Sequence, residues 1–457
     1  MCLFLASKAS AQGFEISIPE ARAIATQAAI GGDPETARRI AAGLLQANPN
    51  DRAALLVLAA VEPQLGRPAQ GRLAGARAYA VSTTDAEKYE AARLTALAAA
   101  NEGRFTLAQW WLRRALTVAP TPEDAAQTTA DARGVRNLNP WSTNVALSFV
   151  PSGNVNGGAE NEFNGIDGEA VSERLTPGDR ALSGWAGTID ISTRYRLAAS
   201  QVYQTTVSAR AYARGVILSD QALDFIARES SPNDPAVKTS DYSTALLEFG
   251  LRHDRAASNG TYGFSFNLGQ AWSRTEFDYT FLRIGADRRI TVSDALDLSF
   301  AGSLEQRWDD DDDPNEWRYN LHGRLSQNLG NADEISASVG FGGIETDIKN
   351  AASTTTTLQF GYRLARRVGP AEVELSFGVQ KQAFPVFYSF SFISGFFPID
   401  GGRNDTRVFG NVDLYFPDYS YAGFAPVVTL SVGRTDSNVG RFERNDASIS
   451  FAFRSTF

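Results

Sequence analysis

Cysteine is almost missing from this chain: among 457 residues there is one, Cys2. It falls in the first few residues, so intrachain disulfides, thiolate catalysis and Cys/His zinc sites are excluded. Lysine is scarce as well, five residues against 38 arginines, an imbalance that reads as genomic bias rather than a functional requirement. The net charge is −9 with no basic block, so the footprint of a nucleic-acid binder is absent. No stretch approaches the roughly 18 to 20 consecutive apolar residues that a membrane-spanning helix needs. If this chain crosses a membrane, it does so with strands.

The first residues, MCLFLASKASAQG, carry a short apolar run and Ala9-Ser10-Ala11, a small-residue cleavage pattern. They predict a signal peptide over 1–11, truncated because its positive region is missing, with cleavage before Gln12.

Residues 12–138 predict a helical domain rich in Ala, Leu and Arg, and an internal repeat appears once its glycines are aligned. GDPETARRIAAGLLQANP from Gly32 and GRFTLAQWWLRRALTVAP from Gly103 share a small residue five positions on, Ala37 and Ala108, and a closing proline, Pro49 and Pro120. A third frame starts at Gly66, with Gly71 at the fifth position but Thr83 in place of proline. Gly-to-Gly spacings of 34 and 37 match a helix–turn–helix period of the tetratricopeptide (TPR) type. Such a stack offers a concave surface to a partner; a helical spacer is the other reading.

At Asn139-Pro140 the period drops to two, and residues 139–457 predict a membrane β-barrel. Fourteen strands are expected, at 141–150, 181–197, 201–217, 241–253, 260–272, 277–289 and 294–307, then 317–329, 333–345, 351–367, 370–382, 403–416, 420–436 and 445–457. The connection near Ser273-Arg274 carries little turn signal. Connections alternate between tight ones, such as 198–200, 330–332 and 368–369, and long ones, such as 151–180, 218–240 and 383–402. Short turns on one side and long loops on the other mark outer-membrane barrels. The overall expectation is an α + β multidomain chain, TPR-like repeats followed by a transmembrane antiparallel barrel of about fourteen strands. The last strand should close against the first with Phe451, Phe453 and Phe457 toward lipid, which is also the pattern of a barrel-assembly signal.

Little in the sequence points to chemistry. The acidic run Asp309 to Asp313 fails as a calcium loop, since Pro314 and Asn320 stand where Gly and Glu are needed. A solvated extracellular loop is expected there, with cation bridging to lipopolysaccharide the other reading. His253 and His322 lack partners at metal-ligand spacing and read as lumen or turn residues. No nucleophile elbow, phosphate loop or zinc-protease motif occurs. We expect no enzyme, no cofactor and no metal. Segment 382–402 stands out instead for Phe384, Phe387, Tyr388, Phe390, Phe392, Phe396 and Phe397. That much apolar surface marks contact with another protein or with the membrane, or a hairpin whose tips reach the aromatic girdle.

A helical repeat domain before a fourteen-strand barrel resembles the surface lipoprotein assembly modifier (Slam) family. VPSGNVNGG (150–158) resembles the family's Pro-x-x-Asn-x-Asn element, here Pro151, Asn154 and Asn156. SGWAGTIDISTRYRLA (183–198) is similar to its glycine-rich strand, and FERNDASISFAFRSTF (442–457) to its closing strand. The resemblance implies export of surface lipoproteins or secreted proteins across the outer membrane of a Gram-negative bacterium, with the helical domain in the periplasm. Implied partners are a client polypeptide, the barrel-assembly machinery and outer-membrane lipid; the barrel is expected to be monomeric. The chain departs from the family in its short helical domain of about three repeats. The competing reading is a diffusion porin, or an exopolysaccharide export pore with a periplasmic repeat domain.

Overall fold

The structure, a computed structural model, describes residues 16–166, 169–308, 316–391 and 395–455. It divides into two compact units at Asn139 and Pro140. The signal-peptide residues 1–11, the acidic run 309–313, Phe392 and Phe457 lie outside the described residues, as does the side chain of Phe390.

Seven helices make the first unit: α1 (Ile18–Ile30), α2 (Pro34–Ala47), α3 (Arg52–Val61), α4 (Pro68–Val81), α5 (Asp85–Asn101), α6 (Phe105–Leu116) and α7 (Pro122–Leu138). They form three helix–turn–helix repeats and a final helix. Gly32, Gly66 and Gly103 occupy the turn inside each repeat with φ of 82°, 73° and 77°, a left-handed conformation that glycine adopts without strain. The starts are capped by side chains: Ser17 with Glu20 and Thr84 with Glu87 form capping boxes, and Asp33, Asp51 and Thr121 accept from the first turns of α2, α3 and α7. The core is alanine, with Ala25, Ala37, Ala59, Ala78, Ala91 and Ala108 fully enclosed. Small side chains let the axes approach closely. A Cβ on Gly75 of α4 would stand 2.3 Å from Thr95 Oγ1 of α5.

The second unit is built of strands. In chain order they are β1 (Trp141–Ser152), β2 (Phe163–Ile166), β3 (Glu169–Arg174), β4 (Gly184–Ala199), β5 (Tyr203–Leu218), β6 (Thr244–Ala257), β7 (Gly260–Ser273), β8 (Glu276–Ser293) and β9 (Leu296–Trp308). Then come β10 (Glu316–Asn328), β11 (Glu334–Glu345), β12 (Ser353–Arg363), β13 (Glu372–Phe384), β14 (Tyr388–Ser391), β15 (Gly395–Pro398), β16 (Arg403–Tyr415), β17 (Phe424–Ser437) and β18 (Arg444–Ser455). Fourteen of them close an antiparallel barrel, while β2–β3 and β14–β15 are separate hairpins in two of its long loops. A further helix, α8 (Asp220–Glu229), lies between β5 and β6. The structure thus has the fold class read from the alternation, fourteen barrel strands after helical repeats.

Period-two alternation sorts the side chains. Phe249, Phe264, Phe300, Phe341, Phe360 and Phe377 face outward, and so do Ile449, Phe451 and Phe453 of β18. A water-soluble protein does not leave such a girdle uncovered; a bilayer requires it. The other face carries ion pairs. Arg210 forks onto Asp190, with Nη2–Oδ2 at 2.6 Å; Arg252 pairs with Asp287 at 2.7 Å; Arg283 bridges Glu248 at 3.0 Å and Glu305 at 2.6 Å. The lumen wall is therefore polar and charge-paired.

Two connections carry detail that the local pattern did not show. Between β7 and β8 the turn is just Arg274-Thr275, with φ of 54° and 70°. Both residues are left-handed, as a tight hairpin turn requires, although neither is the usual Gly or Asn. The other is the closure itself. β1 pairs with β4 at twelve consecutive positions from Trp141↔Tyr195 to Ser152↔Gly184, but, among the described residues, with β18 at one, Ser152↔Ser448. The last strand does close the barrel against the first. It does so without the continuous ladder of the other strands.

Candidate functional site

The long-loop end of the barrel gathers most of the residues singled out in the sequence. Asn154 and Asn156, read as a family-like element, act as backbone staples. Asn154 Nδ2 donates to Gly158 O at 2.8 Å and its Oδ1 accepts from Gly158 N at 2.9 Å. Asn156 Nδ2 donates to Gly178 O and Arg180 O at 2.9 and 2.8 Å, while its Oδ1 accepts from Leu182 N at 2.9 Å. Gly158 is confined there, since a Cβ would stand 2.3 Å from Arg180 O. Between the two asparagines Val155 is buried against Leu182, Val216 and Ala222, and its carbonyl accepts from Arg214 Nη2 at 2.7 Å. Pro151, the third residue of the element, is the last but one of β1 and pairs with Trp185. The neighbouring Tyr242, whose hydroxyl donates to Gly178 O at 3.3 Å, has its phenol pKa pushed up by burial. What these residues do is tie the start of the loop, Asn154 to Gly158, to its end, Gly178 to Leu182.

The aromatic segment 382–402 divides. Phe384 and Phe387 are buried with Ile399 and Val439, and Phe442 packs against them. The Arg403 guanidinium lies 4.0, 5.3 and 3.4 Å from the ring centres of Phe384, Phe387 and Phe442, a cation–π stack. These two phenylalanines are the core of a loop cluster and are not presented to a client. Their packing partners lie far away in sequence, so local pattern could not reveal the burial. Tyr388 is half-buried, its amide and carbonyl bonded to the Asn350 side chain at 2.6 and 2.9 Å. Phe396 is 77% exposed at the β14–β15 hairpin and Phe397 beside it is half-buried. The buried Asn164 of β2 donates to Ser389 Oγ at 3.3 Å and accepts from Arg441 N at 3.4 Å. Through Asn164, Ser389 and Arg441, and through Phe387, Ile399 and Val439, described parts of three long loops thus form one assembly.

The seam between β1 and β18 is the second feature. Beside it, on the outward face, an apolar notch of about 500 Å³ is lined by Leu147, Phe149, Gly187, Ile189, Ala213 and Phe451. Gly187 and Gly215 face each other across β4 and β5 and leave the space that a pair of side chains would fill. The sequence signal for this was the glycine-rich strand 183–198; the signal for the sparse pairing was absent.

In the helical unit, α5, α6 and α7 enclose a groove of about 780 Å³ whose walls include Tyr89, Leu97, Leu112 and Val135. Arg93 and Asp131 form an ion pair across one side of it. His253 accepts or donates with Thr205 Oγ1 at 2.9 Å and stacks near Tyr203 on the outward face of β6, while His322 shares the lumen face of β10. No group of three metal-ligating side chains occurs among the described residues.

Fold and surface together define an outer-membrane-type β-barrel preceded by helical repeats. No protein-family model matches the chain, and no curated protein does. Solved structures that resemble it include OccAB3 of Acinetobacter baumannii, 9% identical, covering 68% of this chain and 99% of that one with a TM-score of 0.34. A loop-deletion mutant of OmpT, an outer-membrane protein of Vibrio cholerae, is 8% identical and covers 69% of this chain and 100% of that one, TM-score 0.32. The Yersinia enterocolitica type III secretion translocator chaperone SycD, 17% identical, covers 27% of this chain and 88% of that one, TM-score 0.24. At such identities and scores nothing about activity passes from them to this chain.

Proposed function

We propose that the chain is an outer-membrane protein-export factor that helps move a surface lipoprotein or secreted protein across the membrane. In this reading residues 12–138 stand in the periplasm and offer the α5–α7 groove to the client. The barrel, inserted as a monomer by the barrel-assembly machinery, then passes an extended segment at its seam. The chain performs no covalent chemistry. The observation that carries the reading is that, among the described residues, β1 pairs with β18 at a single position against twelve with β4. An edge so little used by its own partner is open to β-augmentation by another strand.

The seam can be locked. Paired residues of antiparallel strands have Cα atoms ~4.5–5.5 Å apart, inside the range of a disulfide. Ser152→Cys with Ser448→Cys should, once oxidised, abolish surface display of the lipoprotein or secreted protein encoded beside this gene, and reductant should restore it. Protease shaving of intact cells reads the display, and gel heat-modifiability checks that the barrel is folded. Undiminished display with the seam oxidised would sink the proposal.

The ion-paired lumen favours a second reading, a diffusion or polysaccharide pore. A pore predicts that solute uptake falls when the gene is deleted, is indifferent to the locked seam, and that no protein loses its surface exposure.

A further inference from the structure

Directly beneath the loop cluster, the ends of β13, β16, β17 and β18 enclose a polar cavity of about 80 Å³. That is the volume of two or three water molecules at ~30 Å³ each. Three guanidiniums reach it, from Arg403, Arg407 and Arg444, with Gln380, Gln382 and Thr435 completing the polar wall. The carboxylates nearby are Asp405 and Asp446. Three positive charges against two negative leave one in excess.

The distribution of hydrogen bonds matters more than the sum. Asp405 is taken up by Arg403, at 3.0 and 2.6 Å from Nε and Nη2. Asp446 Oδ2 lies 3.4 Å from Arg407 Nη2 and 3.8 Å from Arg444 Nε, the second too long for a hydrogen bond. The amide nitrogens of Gln380 and Gln382 turn to Thr357 and Ser353, at 3.2 and 3.4 Å. Arg407 Nε, Arg444 Nε and Thr435 Oγ1 are left buried with no partner, three of the four such side-chain atoms among the described residues. A buried donor without an acceptor bears its full desolvation cost, greater still for a charged group. Two cationic N–H groups and a hydroxyl around one small cavity call for an acceptor that carries negative charge.

We infer that this cavity is an anion site that takes a single oxyanion group, a phosphate or a carboxylate, on Arg407, Arg444 and Thr435. The inference stands independently of the export reading. It also has a mechanical corollary. Arg403 and Phe442 line the cavity and belong to the aromatic stack of the loop cluster, so an anion below braces the loops above.

The test uses the full chain folded in detergent micelles. Inorganic phosphate and sodium acetate are titrated separately at ionic strength held constant with sodium chloride. The readouts are the thermal unfolding of the heat-modifiable form and the rate of chymotrypsin cleavage within 385–402, where Phe396 is exposed. At least one anion should raise the midpoint and slow cleavage saturably, and which one does so separates a phosphate from a carboxylate ligand. Arg407→Gln should weaken the apparent affinity about tenfold or more, the scale of a lost charge-assisted hydrogen bond. Thr435→Val, close in shape and certain not to unbalance the charge, should weaken it less but measurably, and it decides the matter if Arg407→Gln does not fold. The inference is overturned if neither anion acts beyond chloride, as a merely water-filled cavity predicts, or if Thr435→Val binds as the parent does.

Discussion

In the helical unit Ala25, Ala37, Ala59, Ala78 and Ala115 are fully enclosed, whereas in the barrel Phe377, Val432 and Phe453 stand 63%, 63% and 67% exposed. One unit hides its smallest apolar side chains and the other displays its largest. The difference follows from what surrounds each. A repeat stack in water gains by removing apolar area and by letting axes approach, which alanine permits. A barrel wall in lipid gains nothing by turning its phenylalanines inward, and its polar face is kept for a lumen. Hydrophobicity alone therefore says little about burial in this chain. The period in which it recurs says which unit a residue belongs to, and the unit says which way it points.

The sharpest way to break that contrast is a charge on the outward face. Phe377→Arg at the middle of β13, where Phe377 stacks on Phe360 at 5.3 Å, should destabilise the barrel by ~2–4 kcal/mol if that ring sits at bilayer depth. Ser376→Arg, one residue away and facing the lumen, should cost far less. Folding into lipid vesicles, followed by heat-modifiability, compares them; equal losses would mean that the two faces are not lipid and lumen.

The counterpart in the helical unit is a methyl group where none fits. Gly75→Ala places a Cβ 2.3 Å from Thr95 Oγ1 and 3.2 Å from Thr95 Cα, so α4 and α5 must separate. Overpacking of this kind costs ~1–3 kcal/mol. Circular dichroism of the full chain at 222 nm should show the helical transition several degrees lower with the barrel signal unmoved. An unchanged melt would mean that the contact is slack.

The smallest effect is expected from acid. The carboxylates of Glu20 and Glu87 are held below their ordinary range by backbone N–H groups, of Ser17 for the first and of Thr83 and Thr84 for the second. Asp33 is lowered by the hydroxyl and then the amide of Thr36. A carboxylate whose folded pKa is depressed stabilises the fold above its unfolded pKa, about 4, and that contribution is lost as pH falls through the folded value. The helical melt should be level from pH 7 to 5 and decline below about pH 4. Glu87→Gln should flatten the decline. In the helical unit this dependence comes from the caps, whereas any acid dependence of the barrel comes from the carboxylates paired with lumen arginines, Asp190, Asp287, Glu248 and Glu305.

Much of the architecture could be read directly. β1, β4, β9 and β18 announce themselves by strict alternation, and Gly32, Gly66 and Gly103 mark their turns because few other residues adopt a left-handed backbone there. Arg274-Thr275 adopts the same backbone without glycine and so gave no sign. Helix α8 did leave one: Ser219 caps it, and Ala222, Phe225 and Ile226 follow at helical spacing. The loop cluster was illegible for a different reason. Phe384, Arg403 and Phe442 meet only after the barrel has brought three strand ends together, and alternation reports the face a residue takes, not the neighbour it finds. The same limit applies to the seam, where Ile449, Phe451 and Phe453 alternate as cleanly as on any fully paired strand.

The single paired position at the seam has a consequence for the lipid beside it. Within hydrocarbon, backbone amides and carbonyls that lack a partner cost several kcal/mol each, so a stretch such as Val145 to Pro151, which has no ladder partner across the seam, is poorly matched to a bilayer of full thickness. A membrane relieves such a mismatch by thinning locally or by letting headgroups and water dip toward the exposed groups. The barrel should therefore deform its surroundings on one flank alone, leaving a dent in the bilayer along β1 and β18 and ordinary thickness along β10 to β13.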